Sequence, residues 1–161
     1  MGGPRRSMMV GFVSGIIALS LDQGSKAVVT AEAATLAGGV PVFPGFNLVF
    51  VRNDGVSFGL FGGVDPWILI ALALGICTWL AAMMIRAKSR LEVAGCGLII
   101  GGAVGNVLDR LRNGAVTDFL DFYAGGWHWP AFNLADTFVF CGVAALLLAA
   151  RGGARLTQPR P

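Results

Sequence analysis

Four apolar runs stand out in this sequence, each without a charged side chain: Met8–Leu21, Pro66–Ile85, Val93–Leu108 and Thr137–Ala150, of 14, 20, 16 and 14 residues. A hydrocarbon layer about 30 Å thick takes about 20 helical residues to cross. Pro66–Ile85 reaches that length alone. The other three reach it only by taking in Asp22 and Lys26, Asp109 and Arg110, or Asp136. A water-soluble domain needs roughly a quarter of its residues charged; here the share is 13%, against 55% hydrophobic residues and a mean hydropathy of +0.72. A chain this apolar does not stay solvated as a disordered coil, and 3 Cys do not make a disulfide-stapled module. The expectation is an α-helical integral membrane protein, one domain over 1–161, with helices at about 8–29, 66–86, 91–110 and 134–150. Ionisable groups drawn to the ends of such helices are functional candidates by default. The bland alternative for Asp22 and Lys26, spaced i,i+4, is snorkelling or pairing at a helix end.

The basic residues orient the helices. Arg5 and Arg6 precede the first run, Arg86, Lys88 and Arg90 separate the second and third, and Arg151, Arg155 and Arg160 follow the fourth. That places 8 of 12 basic residues on one side, with only Glu92 opposing them. The positive-inside rule then puts both termini in the cytoplasm. The net charge of +3 therefore reports topology and not an affinity for nucleic acid, for which a basic stripe with interleaved aromatics is lacking. Ala31-Glu32-Ala33 has the small-residue look of a signal-peptide cleavage site, but Asp22 and Lys26 interrupt the approach to it, so the first run is read as a retained span.

Two segments face outward. In the first, β-rich over about 43–62, the run Phe46–Val51 and the run Val56–Phe61 flank Asn53-Asp54-Gly55. Asp-Gly between β-prone runs predicts a hairpin, with Asn53 either a turn residue or a group facing a site. The second, Asp109–Asn133, carries Asp118 and Asp121 and then Tyr123, Trp127, Trp129 and Phe132, aromatics suited to a headgroup boundary.

Elimination narrows the chemistry. His128 is the single histidine and lies between two Trp residues, which disfavours Ser–His catalysis, and no His-Glu-x-x-His zinc motif exists. Cys77, Cys96 and Cys141 fall inside apolar runs without metal-type spacing and read as packing thiols. Gly101, Gly102 and Gly105 sit in a helical pattern and suit close helix packing, not a phosphate loop. Lys26 with Ser25 or Ser57 is a weak dyad, since adjacent residues point apart on a helix. Carboxylates remain: Asp22, Asp109, Asp118 and Asp136. Two carboxylates about 3 Å apart cannot both ionise easily, so one becomes a base and the other a proton donor. That is aspartic-protease chemistry, needing neither metal nor cofactor. Asn106 and Asn133, each three residues before an Asp, could orient the acids.

The motifs Asp22-Gln23-x-x-Lys26, Asn53-x-Gly55-x-Ser57-Phe58-Gly59, Gly101-Gly102-Ala103-x-Gly105-Asn106-x-x-Asp109-Arg110, Val116-x-Asp118-Phe119 and Phe132-Asn133-x-Ala135-Asp136 occur in that order. In these the sequence resembles the bacterial signal peptidase II family, from about Met8 to Ala150. The resemblance implies four transmembrane helices, an extracytoplasmic β-cradle, and a short amphipathic periplasmic segment. It implies an intramembrane aspartic endopeptidase acting on prolipoproteins that already carry diacylglycerol on a Cys, and cutting just before that Cys. By motif position, Asp118 and Asp136 become the catalytic pair. Asn53, Asn106, Asp109, Arg110 and Asn133 become supporting or substrate-contacting, and Asp22, Lys26 and Gly55 structural. Also implied are a location in the inner membrane with the active site on its outer side, action as a monomer among membrane lipids, and sensitivity to globomycin-type inhibitors. On the residues alone, Asp136 in the first turn of the last helix is favoured as the ionised base, and Asp118 as the proton donor. Two rivals predict otherwise. A proton- or ion-coupled carrier needs relays through the inner halves of the helices, where no acid lies, and a non-enzymatic scaffold has no need of both Asp118 and Asp136.

Overall fold

A computed structural model describes residues 4–55, 65–87 and 89–156, with side chains described for 8–55, 65–87 and 89–151. Helix α1 (Pro4–Ala31) is followed by the short α2 (Ala33–Leu36), strands β1 (Val40–Phe43) and β2 (Phe46–Asn53), and helices α3 (Pro66–Arg86) and α4 (Arg90–Asn113). Strands β3 (Val116–Ala124) and β4 (Trp127–His128) then precede α5 (Leu134–Leu156). Among the described residues, four helical stretches are long and apolar enough to span a bilayer: Met8–Ala31, Pro66–Arg86, Arg90–Asn113 and Leu134–Arg151.

Helix α4 forms the centre of the bundle. Half of its most apolar window is buried, against 17% or less for the other three. Glycines permit this. A methyl group on Gly97 would run into the backbone carbonyl of Gly11, and one on Gly102 into that of Ala135, so α4 meets α1 on one face and α5 on another. Lipid tails give helices no hydrophobic reason to associate, so close backbone approach supplies the packing energy. Local signals set the ends of α3 and α4. Asp65 caps α3 through Trp67 N at 2.9 Å, with Pro66 at the first turn. Ser89 Oγ accepts from Glu92 N at 3.1 Å, and Gly114, at φ +69°, stops α4 and turns the chain into β3.

The strands form one antiparallel sheet in the order β1-β2-β3-β4. Gly45, at φ +92°, makes the tight connection from β1 to β2. β2 and β3 pair in register Phe46↔Phe122, Leu48↔Leu120, then, after an irregularity, Val51↔Asp118 and Asn53↔Val116. The sheet therefore draws on both non-helical segments, and it begins at Val40. The return arm of the hairpin expected at Asn53-Asp54-Gly55, Val56–Phe61, lies outside the described residues, as do Ser57, Phe58 and Gly59. What is described there is a bend at Asp54 and Gly55. The partner of β2 beside Asn53 is β3, some 60 residues on. Val29 and Leu36, at the end of α1 and in α2, pack with Phe119, Leu48, Phe50 and Leu134 and seat the sheet on the bundle.

Candidate active site

The polar groups that the helices carry converge at the end of the bundle that bears the sheet. Asp22 and Lys26, one turn apart on α1, are 0% and 4% exposed, so neither snorkels. Lys26 Nζ contacts Asp22 Oδ2 at 3.0 Å, Asp109 Oδ2 at 3.0 Å and Asn106 Oδ1 at 2.9 Å, which occupies all three of its donors. Asp22 Oδ1 accepts the N–H of Ala135 at 3.0 Å, tying α1 to the start of α5. Asp109 Oδ2 also accepts Thr117 N at 3.1 Å, and Gln23 Nε2 bridges Asp22 Oδ2 and Asp109 Oδ1 at 3.1 and 3.2 Å. A Cβ on Gly105 would overlap the carboxylate of Asp22, so the glycine is what lets that group approach α4. Buried charges of this kind persist only when paired and hydrogen-bonded, and here each is.

Asn133, 0% exposed, sits where β3 and α5 meet. Its Oδ1 accepts Asp136 N at 3.0 Å while Asp136 Oδ2 accepts Asn133 N at 3.3 Å. This is the reciprocal pattern of a capping box, with Asn and Asp in place of the usual Ser and Glu. Because that oxygen is committed, the amide NH2 must face the other way, and it donates to Asp118 Oδ1 at 2.7 Å and to Asn106 Oδ1 at 3.2 Å. Asn106 is fixed by the same logic. Its oxygen receives Lys26 and Asn133, so its NH2 donates to Asp136 Oδ1 at 2.9 Å. Asp118, 1% exposed on β3, receives Asn53 Nδ2 on its second oxygen at 2.8 Å. Asn53 Oδ1 in turn accepts Gly55 N at 3.1 Å, and the Gly55 carbonyl accepts Arg110 Nη2 at 2.8 Å.

Asp22, Lys26, Asn53, Gly55, Asn106, Asp109, Arg110, Asp118, Asn133 and Asp136 thus form one hydrogen-bonded network. Asp118 and Asp136 come from different elements and are both held by Asn133. Burial pushes the Asp118 carboxyl up to about 6; the Asn53 amide opposes this, the charge of Asp136 adds to it, and Asn133 and Lys26 pull it back. Among the described residues no cluster of His, Cys, Asp and Glu has the arrangement of a metal site. An apolar cavity of about 350 Å³ between α1, α3 and α4, lined by Phe12, Ile16, Met84 and Ile100 among others, lies toward the opposite end of the helices.

Three partners in this network escaped the candidate set. Gln23 was legible only as the neighbour of Asp22, and the amides of Thr117 and Ala135 are backbone groups whose roles depend on long-range packing. Asp121 is 7% exposed and accepts Asn47 Nδ2 at 2.9 Å. It also lies 2.9 Å from His128 Nδ1.

The fold and the site together define a helical membrane protein with a buried polar centre at one end of its bundle. Two solved chains, each described as a bacterial membrane enzyme crystallised by the in meso method, superpose with TM-scores of 0.81 and 0.75. They share 23% and 25% identity with this chain and cover 94% and 87% of it, and 93% and 91% of their own lengths. At the lower identity the likeness speaks for the fold alone. The sequence goes further: the family profile described as Signal peptidase (SPase) II matches residues 15–151. Proteins named lipoprotein signal peptidase from Enterobacter sp. (strain 638) and Cronobacter sakazakii are each 44% identical over 138 residues, 83% of this chain and 82% and 83% of theirs. The relative of that name from Shigella flexneri is 43% identical over the same length. This chain belongs to the signal peptidase II family.

Proposed function

We propose that this chain removes signal peptides from lipid-modified prolipoproteins, and that it does so as an aspartic endopeptidase through Asp118 and Asp136, cutting just before the lipid-bearing Cys. The observation that carries the reading is the shared hold of Asn133 on both carboxylates. It brings a strand carboxylate and a helix carboxylate to one place. Asp118 lies on the buried strand, with its carboxyl raised to about 6, and takes the part of the protonated member. Asp136 lies in the first turn of α5, where the helix N-terminus favours negative charge, and takes the part of the base.

In the reaction Asp136 removes a proton from a water placed between the two acids, and the oxygen attacks the scissile carbonyl carbon. Asp118 donates its proton to the carbonyl oxygen, giving a neutral tetrahedral diol. Asp136, now protonated, passes its proton to the leaving nitrogen as the C–N bond breaks, and Asp118 recovers a proton from the collapsing diol. No metal or cofactor enters these steps. The locked amides of Asn106, Asn133 and Asn53 keep the acids in position as their protons change hands. Arg110 anchors Gly55 beside them.

In this reading the site faces the outer side of the inner membrane, the termini lie in the cytoplasm, and the enzyme works as a monomer open to globomycin-type inhibitors. Asp118→Asn and Asp136→Asn test the mechanism, because each keeps the size of the side chain and removes the ionisable group. Each purified variant should fold in near-normal yield and lose cleavage of a lipid-modified prolipoprotein, while chelators leave wild-type turnover unchanged. Near-normal turnover by either variant refutes the pair.

A further inference from the structure

The far half of the sheet holds a second concavity that the reaction above does not use. Phe122, Ala124, Trp127, Trp129 and Phe132, with Gly45, line about 500 Å³. Strand alternation puts residues 118, 120 and 122 on one face of β3, so Phe122 points the same way as Asp118. Phe132 immediately precedes Asn133, whose amide holds Asp118. The recess is therefore joined to the acid pair by continuous backbone on two sides. A row of rings continues it: Phe43 to Phe46 at 5.1 Å, Phe46 to Phe122 at 4.8 Å, and Phe122 to Phe132 at 5.9 Å between centroids. Main-chain groups beside the recess are paired within the sheet, Tyr123 N to the Gly45 carbonyl at 2.9 Å and Trp129 N to the Phe122 carbonyl at 2.8 Å. The recess thus selects by shape and apolar surface.

A concave, aromatic-walled space of this size suits a large apolar side chain. β3 starts from the end of α4, and the recess lies at the strand's far end. A polypeptide that emerges from among the helices and passes Asp118 meets the recess only afterwards, with the part beyond the cut bond. From Asp118 to Phe122 is four residues, about 13 Å of strand at ~3.3 Å each. An extended substrate running alongside covers that distance in about four or five of its own residues.

We infer that this recess is a substrate subsite that binds a large apolar or aromatic side chain about four to five residues after the scissile bond, in the mature part of the lipoprotein. The inference rests on the peptidase reading above. A lipid surface is the other occupant such aromatics could take. Continuity with Asp118 and the concave form favour the peptide.

The test moves one Trp along the substrate. A lipid-modified prolipoprotein whose mature residues after the lipid-bearing Cys are Gly, Ser and Asn receives a single Trp at each place from the second to the eighth after the cut bond. Cleavage by the purified full chain is followed in detergent micelles and in phosphatidylethanolamine–phosphatidylglycerol vesicles. The expected kcat/KM peaks at about the fourth or fifth place, roughly tenfold above Ser there and mainly through KM. Trp127→Ala and Trp129→Ser, with Tm and folded yield checked, flatten that peak. A flat wild-type profile overturns the subsite, as does a peak that survives both variants. A loss equal for every substrate and confined to vesicles overturns it in favour of a lipid anchor. No cleavage of any substrate by the wild type refutes the peptidase reading itself, and the subsite with it.

Discussion

Replacing Asn53 by Ala removes one donor from Asp118 and leaves the rest of its surroundings in place. The bond is short, 2.8 Å from Asn53 Nδ2 to Asp118 Oδ2, and it stabilises the ionised form of a carboxyl already raised to about 6. A hydrogen bond to a charged group contributes about 1.5–3 kcal/mol when its loss leaves the charge unsatisfied, and about 1.4 kcal/mol corresponds to one pH unit. Asn53 is only half-buried, so water recovers part of the loss, and the lower end of that range applies. Asp118 should then hold its proton to a pH about one unit higher. The signs follow from its role as donor: activity needs Asp118 protonated, so the alkaline limb of the pH profile falls as pH rises through its pKa. In Asn53→Ala that limb should move upward by about one pH unit, while the maximum rate drops because the carboxylate is less well held. The assay is kcat/KM against pH for purified enzyme, which reports the free enzyme's acid and base, with folded yield measured alongside. An alkaline limb that stays in place or moves down refutes the assignment of Asp118 as the donor. Equal falls in activity and yield with no change in the limb would reduce Asn53 to a shaper of the bend at Gly55.

Other expectations follow from the same network. Lys26→Met leaves Asp22 and Asp109 buried without their cation and should lower stability by about 3–5 kcal/mol, read as a lower Tm in detergent; Asp22→Asn added to it should recover part of that loss. Gly105→Ala pushes a methyl group into the Asp22 carboxylate and should cost about 1–3 kcal/mol together with activity, seen by thermal unfolding and turnover; a variant as stable as wild type would mean α1 shifts freely against α4. Reporter fusions after Arg86 and after Arg151 should read cytoplasmic and one near Gly39 external, and a cytoplasmic signal at Gly39 would invert the topology and move the site to the other side.

The parts of this protein written in its sequence are those that depend on neighbours along the chain. Helix length against bilayer thickness picks out the spans, because a charge-free run of 20 residues such as Pro66–Ile85 has one low-energy environment. The ends of α3 and α4 follow from Asp65-Pro66, Ser89 and Gly114, each acting within a turn of its own position. The candidate acids were legible for the same reason: carboxylates at the ends of apolar helices stand out by their cost.

Tertiary structure decided the partners. Local pattern says nothing of the strand that lies beside Asn53 in the described sheet, which is β3, from far along the chain. Helix α4 carries the chain across the bundle and Gly114 turns it back against β2, a geometry that no local pattern encodes. Nothing near Asp121 in sequence marks Asn47 as its partner across the sheet. Lys26, open to reading as a snorkelling side chain, is enclosed because Asp109 and Asn106 come to it from α4, 80 or more residues away. Asn133 shows both levels in one side chain. Its cap on Asp136 is a three-residue local motif, while its hold on Asp118 exists only because β3 and α5 meet. Local physics therefore sets which groups must be buried and where helices stop. Only the packing of α1, α4, α5 and the sheet sets which buried groups touch, since a hydrogen bond between distant residues is chosen by the one arrangement that satisfies them all.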